Sequence, residues 1–391
     1  MIELHGESRV CSQVSGPLAW VEIDLSAIGH NVGRVVELVG PGVDVLAVVK
    51  DDAYGHGAFR VAQAALDHGA TWLGVASPNE GISLRRSGIR EPILVLGWTP
   101  PWQAENTVGN DLVATVFAIE GAAALSQAAG HLGRTACVHI KVDTGMGRLG
   151  LLPDEVLPFL RRVSRLPALQ VDGIFTHMAS AGDADLSYTR RQLGCFGEVL
   201  SALRREGLLP PHIHAANSAC IFRLPESHHN LVRLGLAMYG LDPSPHAACP
   251  TGFVPALAFK CRVTQVRNLP RGSYIGYGCT FRTRRASRVA VLPVGYAHGF
   301  RRAPAHWGYV LVNGQRAPIV GQVCMDQSMI DVTDICSGGA GGVQPGDVAV
   351  LIGAQGSDCI TADEVASRLG TINYEVITQI SARLPRLFVR G

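Results

Sequence analysis

VDVLAVVKDDAYGHG, residues 43 to 57, changes character at one position. Val43 to Val49 is a run of small and branched apolar side chains, the composition of a strand buried on both faces. Lys50 ends the run, and Asp51 to Gly57 is polar and rich in glycine. An ammonium group at the carboxyl end of a buried strand gives up hydration, which is poor for stability. The same loss makes the amine apt to condense with a carbonyl or to take a proton from carbon. A lone lysine of this kind is ordinarily a surface residue closing a strand, so its surroundings decide between the two readings.

Outward from this stretch the pattern repeats. Seven more apolar runs follow: WLGVA from Trp72, ILVLG from Ile93, LVATV from Leu112, ACVHIKVD from Ala136, LQVDGIFTH from Leu169, HIHAAN from His212 and LVRLGLAMYG from Leu231. Amphipathic segments separate them, clearest at 58–68, 153–165 and 188–205, while the seventh crossover is short and weakly marked. Strands alternating with helices predict a parallel sheet, and eight is the number that closes a barrel. An open doubly wound sheet shares the pattern. The barrel is favoured because the chemistry-bearing residues all fall just after strand ends, the face on which barrel enzymes build sites. Beyond Pro243-Ser244-Pro245 the chain turns to short strands broken by Gly, Pro and Asn, with one helical stretch near Thr361 to Leu369. LVNGQ from Leu311 predicts a hairpin with a type I′ turn at Asn313-Gly314, and SGGAGGVQPGD from Ser337 a turn-rich loop. The expected architecture is α/β: an N-terminal (β/α)8 TIM barrel over 1–245 and a mainly β domain over 246–391, with the first residues as candidates to pair with the second domain.

A chain of 391 residues, 47% apolar and 17% charged, has the length and composition of a two-domain globular protein. The formal net charge of +2, with scattered arginines, argues against nucleic acid as a partner. No apolar run approaches the roughly 20 residues that span a bilayer, and the N-terminus lacks the layout of a signal peptide, so the expectation is a cytoplasmic protein with no membrane partner. The ten cysteines run from Cys11 to Cys359 without a CxxC pair. That predicts reduced, mostly buried thiols and no metal site.

Around Lys50, Tyr54 and His56 bring polar groups bracketed by Gly55 and Gly57, which suits a phosphate. Asn217-Ser218 after the seventh strand and Arg233-Leu234-Gly235 in the eighth would add donors on the same face. Singly, Ser218 also reads as an N-cap, Asn217 as a turn residue and Arg233 as an ion-pair partner. KVDTGMGRLG packs Lys141, Asp143 and Arg148 among glycines at the end of the fifth strand, and His177 closes the sixth.

These segments, with IGYGCTF around Tyr277, PVGYAHG around Tyr296, VCMDQ around Met325 and INYE around Tyr374, occur in order from about Trp20 to Phe388. Together they resemble the alanine racemase family. The resemblance implies a homodimer with shared active sites, a small amino-acid substrate, and pyridoxal 5′-phosphate carried as an internal aldimine on Lys50, supplying D-alanine for peptidoglycan. It implies that Tyr54, Ser218, Tyr374 and the backbone at Gly235 and Leu236, with Asn217 beside them, hold the phosphate, and that Arg233 meets the pyridine nitrogen. Tyr277 of the other subunit would oppose Lys50, with His177 bonded to that tyrosine. Racemisation needs two acid/base groups on opposite faces of a planar intermediate, and Lys50 and Tyr277 fit those roles. Arg148 would orient the cofactor's phenolic oxygen or the substrate carboxylate, which Met325 and Asp326 would receive. Lys141 matches a lysine often carbamylated, and Tyr296, Arg302 and Gln322 match an access corridor.

Five positions depart from the family pattern: Asp51 for alanine, Leu234 for proline, His298 for aspartate, Gln322 for arginine and Ala382 for tyrosine. None removes a catalytic group. Gln322 and His298 alter the charge an entering substrate meets, which keeps racemases of serine or of a basic amino acid as alternatives. A decarboxylase would place a carboxylate at the pyridine nitrogen, which Arg233 contradicts. A non-catalytic cofactor carrier would not need the second domain.

Overall fold

A computed structural model describes residues 16–303, 305–335 and 342–389. The first 15 residues, with Cys11, and residues 336–341, the first part of the loop expected from Ser337, lie outside the described set. The chain divides into two compact units. One is Ile23–Ala256 joined by Phe388 and Val389; the other is Leu257–Leu387 with the described residues up to Glu22.

Strand β1 (Ala19–Asp24) runs straight into helix α1 (Leu25–Val39), which begins there because the Asp24 carboxylate accepts from the Ser26 and Ala27 N–H groups. Eight parallel strands then form one sheet: β2 (Asp44–Val48), β3 (Trp72–Val75), β4 (Ile93–Val95), β5 (Val113–Val116), β6 (Ala136–Lys141), β7 (Leu169–Phe175), β8 (His212–His214) and β9 (Leu231–Leu234). Their order is β8-β7-β6-β5-β4-β3-β2-β9. The ends meet, since the Arg233 N–H donates to Ala216 O at 3.0 Å and the Ile213 N–H to the Asn230 side chain at 2.7 Å. Every expected barrel strand is present, and β3, β4, β5 and β9 are buried throughout, as strands covered by helices outside and packed side chains inside must be. The eighth run was expected to continue as strand to Gly240. It stops at Leu234 because Leu236–Tyr239 coils into a tight helical turn that ends on Gly240 at φ 72°.

The second unit is mainly β. Its strands are β10 (Leu257–Arg262), β11 (Gln265–Leu269), β12 (Tyr274–Ile275), β13 (Phe281–Arg282), β14 (Ser287–Leu292), β15 (Tyr309–Val312), β16 (Gln315–Pro318), β17 (Ser328–Asp331), β18 (Val348–Gln355), β19 (Asp358–Ile360) and β20 (Arg386–Val389). They form a seven-stranded sheet of order β16-β15-β18-β10-β1-β20 with β19 on β18, a three-stranded sheet β11-β14-β17 and the pair β12-β13. β15 and β16 pair across Asn313-Gly314, both at positive φ (51° and 73°), the backbone a type I′ turn requires. The expected helix is Ala362–Leu369, capped by Thr361; a second, Asn373–Thr378, is too short to announce itself by periodicity.

Among the described residues eight cysteines form no disulfide, but only Cys220 and Cys261 are buried, so the expectation of mostly buried thiols is corrected. Among those residues no helix is long and apolar enough to cross a membrane.

Candidate active site

Directly after Lys50 the backbone reverses its hand. Asp51, Asp52, Ala53 and Tyr54 take φ of 53, 53, 53 and 54°, four consecutive L-residues in the left-handed region. Each costs on the order of 1–2 kcal/mol there, so such a run persists only where the surroundings impose it. The braces are visible. The Asp51 N–H donates to Glu80 Oε1 (2.9 Å), the Ala53 N–H to Val49 O (2.9 Å), the Gly57 N–H to Asp52 O (2.9 Å), and Asp52 Oδ1 accepts from the Ala58 N–H (2.7 Å). The turn carries the Tyr54 side chain inward, where it is 9% exposed and packs 5.0 Å from the Tyr239 ring. Lys50 itself is not the desolvated amine its position predicts. Its side chain is 39% exposed, with Nζ 3.7 Å from Asp51 Oδ2.

Beside Tyr54 lies a polar recess. Ser218 Oγ accepts from the Gly235 N–H (2.9 Å) and the Ala237 N–H (3.4 Å). The N-cap of the short helix Ser218–Arg223 is Asn217, whose Oδ1 accepts from the Cys220 N–H, and Ser218 is thereby free for the recess. A Cβ on Gly235 would stand 3.3 Å from the Tyr54 hydroxyl and 3.6 Å from Ser218 Oγ, so a side chain at that position would fill the space beside these two hydroxyls.

Arg233 is 3% exposed, and burial draws its guanidinium down to about 10. Nη1 donates to His214 Nδ1 (3.0 Å); Nη2 donates to Thr176 O and Ala215 O (2.9 Å each) and to His177 Nδ1 (3.2 Å). Arginine has donors only. His177 therefore accepts on Nδ1, and since burial and then the Arg233 and Lys141 charges hold it well below the usual imidazole range, it is neutral with its proton on Nε2. Phe175 stacks on His214 at 4.6 Å, with the Lys141 ammonium over its ring at 4.8 Å. Burial, followed by the Arg233 and Arg148 charges, pulls Lys141 down to about 7. Burial works to raise the Asp143 carboxyl, but the Gly145, Gly147, Arg148 and Met146 N–H groups outweigh it and hold it below its ordinary range. Asp143 thus fixes the loop that carries the exposed Arg148.

The remaining candidates lie in the second unit. Tyr277 follows Gly276 (φ 73°) and is 67% exposed. A Cβ on Gly276 would stand 3.3 Å from Gln322 N, so this turn lies against the Gln322 segment, and Arg302 donates to the Gln322 side chain. The Tyr296 N–H donates to Cys324 O (3.0 Å) and the Ala297 N–H to Met325 O (2.8 Å), lacing the Tyr296 loop to Met325 and Asp326. Arg301 joins that loop to Glu375 on the helix of the half-buried Tyr374 (3.0 Å). Three contributors were not singled out from sequence: Glu80, which braces the left-handed turn, Tyr239, whose hydroxyl donates to Val48 O (2.9 Å), and His214. For His214 the signal was the alternation in HIH, which turns both histidines to one side of β8.

The sequence family described as alanine racemase, N-terminal domain, matches residues 23–243, and its C-terminal counterpart residues 256–388. The alanine racemase of Symbiobacterium thermophilum is 46% identical over 369 residues, covering 94% of this chain and 96% of its own. The crystal structure of alanine racemase from Bacillus anthracis with bound L-Ala-P matches with a TM-score of 0.89 at 41% identity over 96% of both chains. The histidine racemase from Leuconostoc mesenteroides subsp. sake matches with a TM-score of 0.87 at 28% identity, over 96% of this chain and 99% of that one.

Proposed function

The chain belongs to the alanine racemase family, and from that premise we propose that it is an isomerase interconverting L- and D-alanine with pyridoxal 5′-phosphate, in the cytoplasm, as a supply of D-alanine for peptidoglycan. The observation that carries the reading is the buried Arg233 bonded to His177, on the barrel that also carries Lys50 and the Gly235 recess. The residues present fit the cofactor. The recess that a Gly235 side chain would fill is lined by the Tyr54 and Ser218 hydroxyls, both able to donate to a phosphate, with the backbone at Gly235 and Leu236 and Asn217 alongside; the family resemblance adds Tyr374. Lys50, Arg148 and Arg233 give the site a cationic character suited to a phosphate and a carboxylate.

When bound, the cofactor draws electrons from the amino acid and so acidifies its α-hydrogen. Arg233 would donate to the ring nitrogen and keep its proton, which would restrain that pull and disfavour side reactions. Lys50 exchanges the α-proton on the D face; Tyr277 of the partner subunit exchanges it on the L face. His177, with its proton on Nε2, can only donate to the tyrosine oxygen, which stabilises the phenolate and lets the tyrosine act as a base near neutrality. Arg148 orients the cofactor's phenolic oxygen or the substrate carboxylate. Met325 and Asp326 of the partner subunit receive that carboxylate through main-chain N–H groups, because the Asp326 side chain would repel an anion. Lys141, near pH 7 in large part a neutral amine, can add carbon dioxide as a carbamate, an anion able to hold Arg148. The homodimer is supported by Tyr277, Met325 and Tyr296, which leave 67, 59 and 42% of their surface exposed on adjoining loops.

A second reading, a racemase of a basic amino acid, is favoured by the similarity to a histidine racemase and by Gln322 and His298. One experiment separates them: α-hydrogen exchange of all L- and D-amino acids in deuterated buffer with added cofactor. Alanine exchanging fastest supports the first reading. Histidine, lysine or serine exchanging as fast overturns alanine as the substrate.

A further inference from the structure

Inside the barrel, beneath Arg233, stands a group of polar side chains that none of these roles uses. His139 on β6 is fully buried; its Nδ1 is 2.9 Å from His214 Nε2, and its Nε2 has no hydrogen-bond partner. That bare edge faces Asp172 Oδ2 on β7 at 3.9 Å. His212 on β8 donates from Nδ1 to Asp172 O (3.0 Å), with Asp172 Oδ2 at 3.3 Å. Gly173 is the cross-strand neighbour of both His139 and His212, and a Cβ there would come within 2.5 Å of the His139 ring. A glycine inside a strand costs stability, and here it makes room for one imidazole. Trp72 lies against the other side, 5.4 Å from the His139 ring and 5.0 Å from that of His212.

Two kinds of occupant fit these positions. His139, Asp172 and His212 each offer an atom within 4.8 Å of the others, a spacing that a three-ligand metal site could use. The protons decide against it. Arg233 can only donate, so His214 Nδ1 accepts. Burial and then the Arg233 charge keep His214 neutral, so its single proton sits on Nε2 and is given to His139 Nδ1. Burial keeps His139 neutral too, so its proton sits on Nε2, where a metal would require a lone pair. The unpartnered group is an N–H, and what it faces is a carboxylate.

We propose that His139 and Asp172 are positioning residues for Arg233: a hydrogen-bond chain runs one way, Arg233 to His214 to His139, and at its far end the His139 Nε2–H faces the Asp172 carboxylate at 3.9 Å, an electrostatic contact. The proposal rests on reading Arg233 as the partner of the cofactor's ring nitrogen. The negative charge of Asp172 beyond the last imidazole keeps the Nδ1 atoms of both imidazoles electron-rich, so that the guanidinium is held in one orientation. The arrangement supplies a buried arginine with an anion two imidazoles away, where it cannot reach the ring nitrogen.

The test is nitrogen-15 NMR of the full-length, cofactor-loaded protein labelled in its histidine rings, with kinetics of variants beside it. His139 and His214 are expected neutral, each with its proton on Nε2. Asp172→Asn is expected to weaken the His214 Nδ1 hydrogen bond, read as a shift of that nitrogen toward the value of a free acceptor, and to lower kcat about tenfold, the low end for losing an orienting outer partner. KM should stay within about twofold, and Asp172→Glu should recover most of the loss. A proton on His139 Nδ1, a doubly protonated His139, or uptake of one equivalent of Zn2+ with loss of the His139 N–H signal overturns the chain. So does an Asp172→Asn protein that loses thermal stability while kcat and the His214 signal stay unchanged. If the parent protein racemises no amino acid, the proposed function fails, and the ring-nitrogen pattern still decides whether the chain exists.

Discussion

The two units finish their share of the site to different degrees. In the barrel unit the groups assigned to the ring nitrogen and the phosphate are tied down: Arg233 is 3% exposed with four side-chain hydrogen bonds, and Tyr54 is 9% exposed beside Gly235, while Lys50 and Arg148 stay accessible. In the second unit they are laced through the backbone, but the side chains of Tyr277 and Met325 stand 67 and 59% exposed. On the proposed homodimer reading the difference is a division of labour: the barrel supplies most of the cofactor-binding groups, and the exposed loops of the second unit supply the reactive groups of the partner's site.

The sharpest way to break this comparison is at the two bases. Lys50→Ala should abolish the visible band of bound cofactor and all α-hydrogen exchange, read by absorbance and mass spectrometry; a retained band removes Lys50 from its role. Tyr277→Phe should slow the exchange of L-alanine by about 10²–10⁴, the range for losing a general acid or base, and leave D-alanine exchange much closer to the parent. Racemisation falls equally in both directions, because its equilibrium constant is one; only the exchange separates the faces. Equal exchange losses for the two enantiomers would end the division of faces. Gly235→Ala tests the barrel's half alone. Its Cβ, 3.3 Å from the Tyr54 hydroxyl, should weaken cofactor affinity about tenfold in a fluorescence titration while the fold survives.

The smallest expected effect concerns pH. Lys141 is at about 7 in the folded protein, against about 10.5 when exposed, so the unfolded chain binds the extra proton between those values and stability rises with pH across that window. Buried His139, His177 and His214 add a slope of the same sign, but theirs is complete by about pH 6.5, the unperturbed value of histidine. Between pH 7 and 8.5 (about one and a half units) Tm should therefore climb by a few degrees, and Lys141→Met should flatten the climb. A parent Tm that falls over this interval would contradict the depressed Lys141.

All eight barrel strands were legible because β-branched runs ending in polar residues leave few alternatives, and the second unit because NG and its short runs read as hairpins. The reactive residues were legible because they follow strand ends. Three features were not. The left-handed turn is built from Asp51, Asp52, Ala53 and Tyr54, none a glycine, and its causes lie in distant Glu80 and Tyr239. The exposure of Lys50 follows from that turn. The row His139, Gly173, His212 exists only through strand register, which brings residues more than 70 positions apart into line.

Asp51 to Tyr54 form one turn of the mirror image of an α-helix, the hand that D-amino acids adopt without strain. A chain proposed to make D-alanine therefore folds a piece of itself as though it contained some. Total synthesis makes this measurable: a D-residue at the exposed position 51 should be accommodated and raise Tm, whereas the same inversion anywhere in α1 should break the helix.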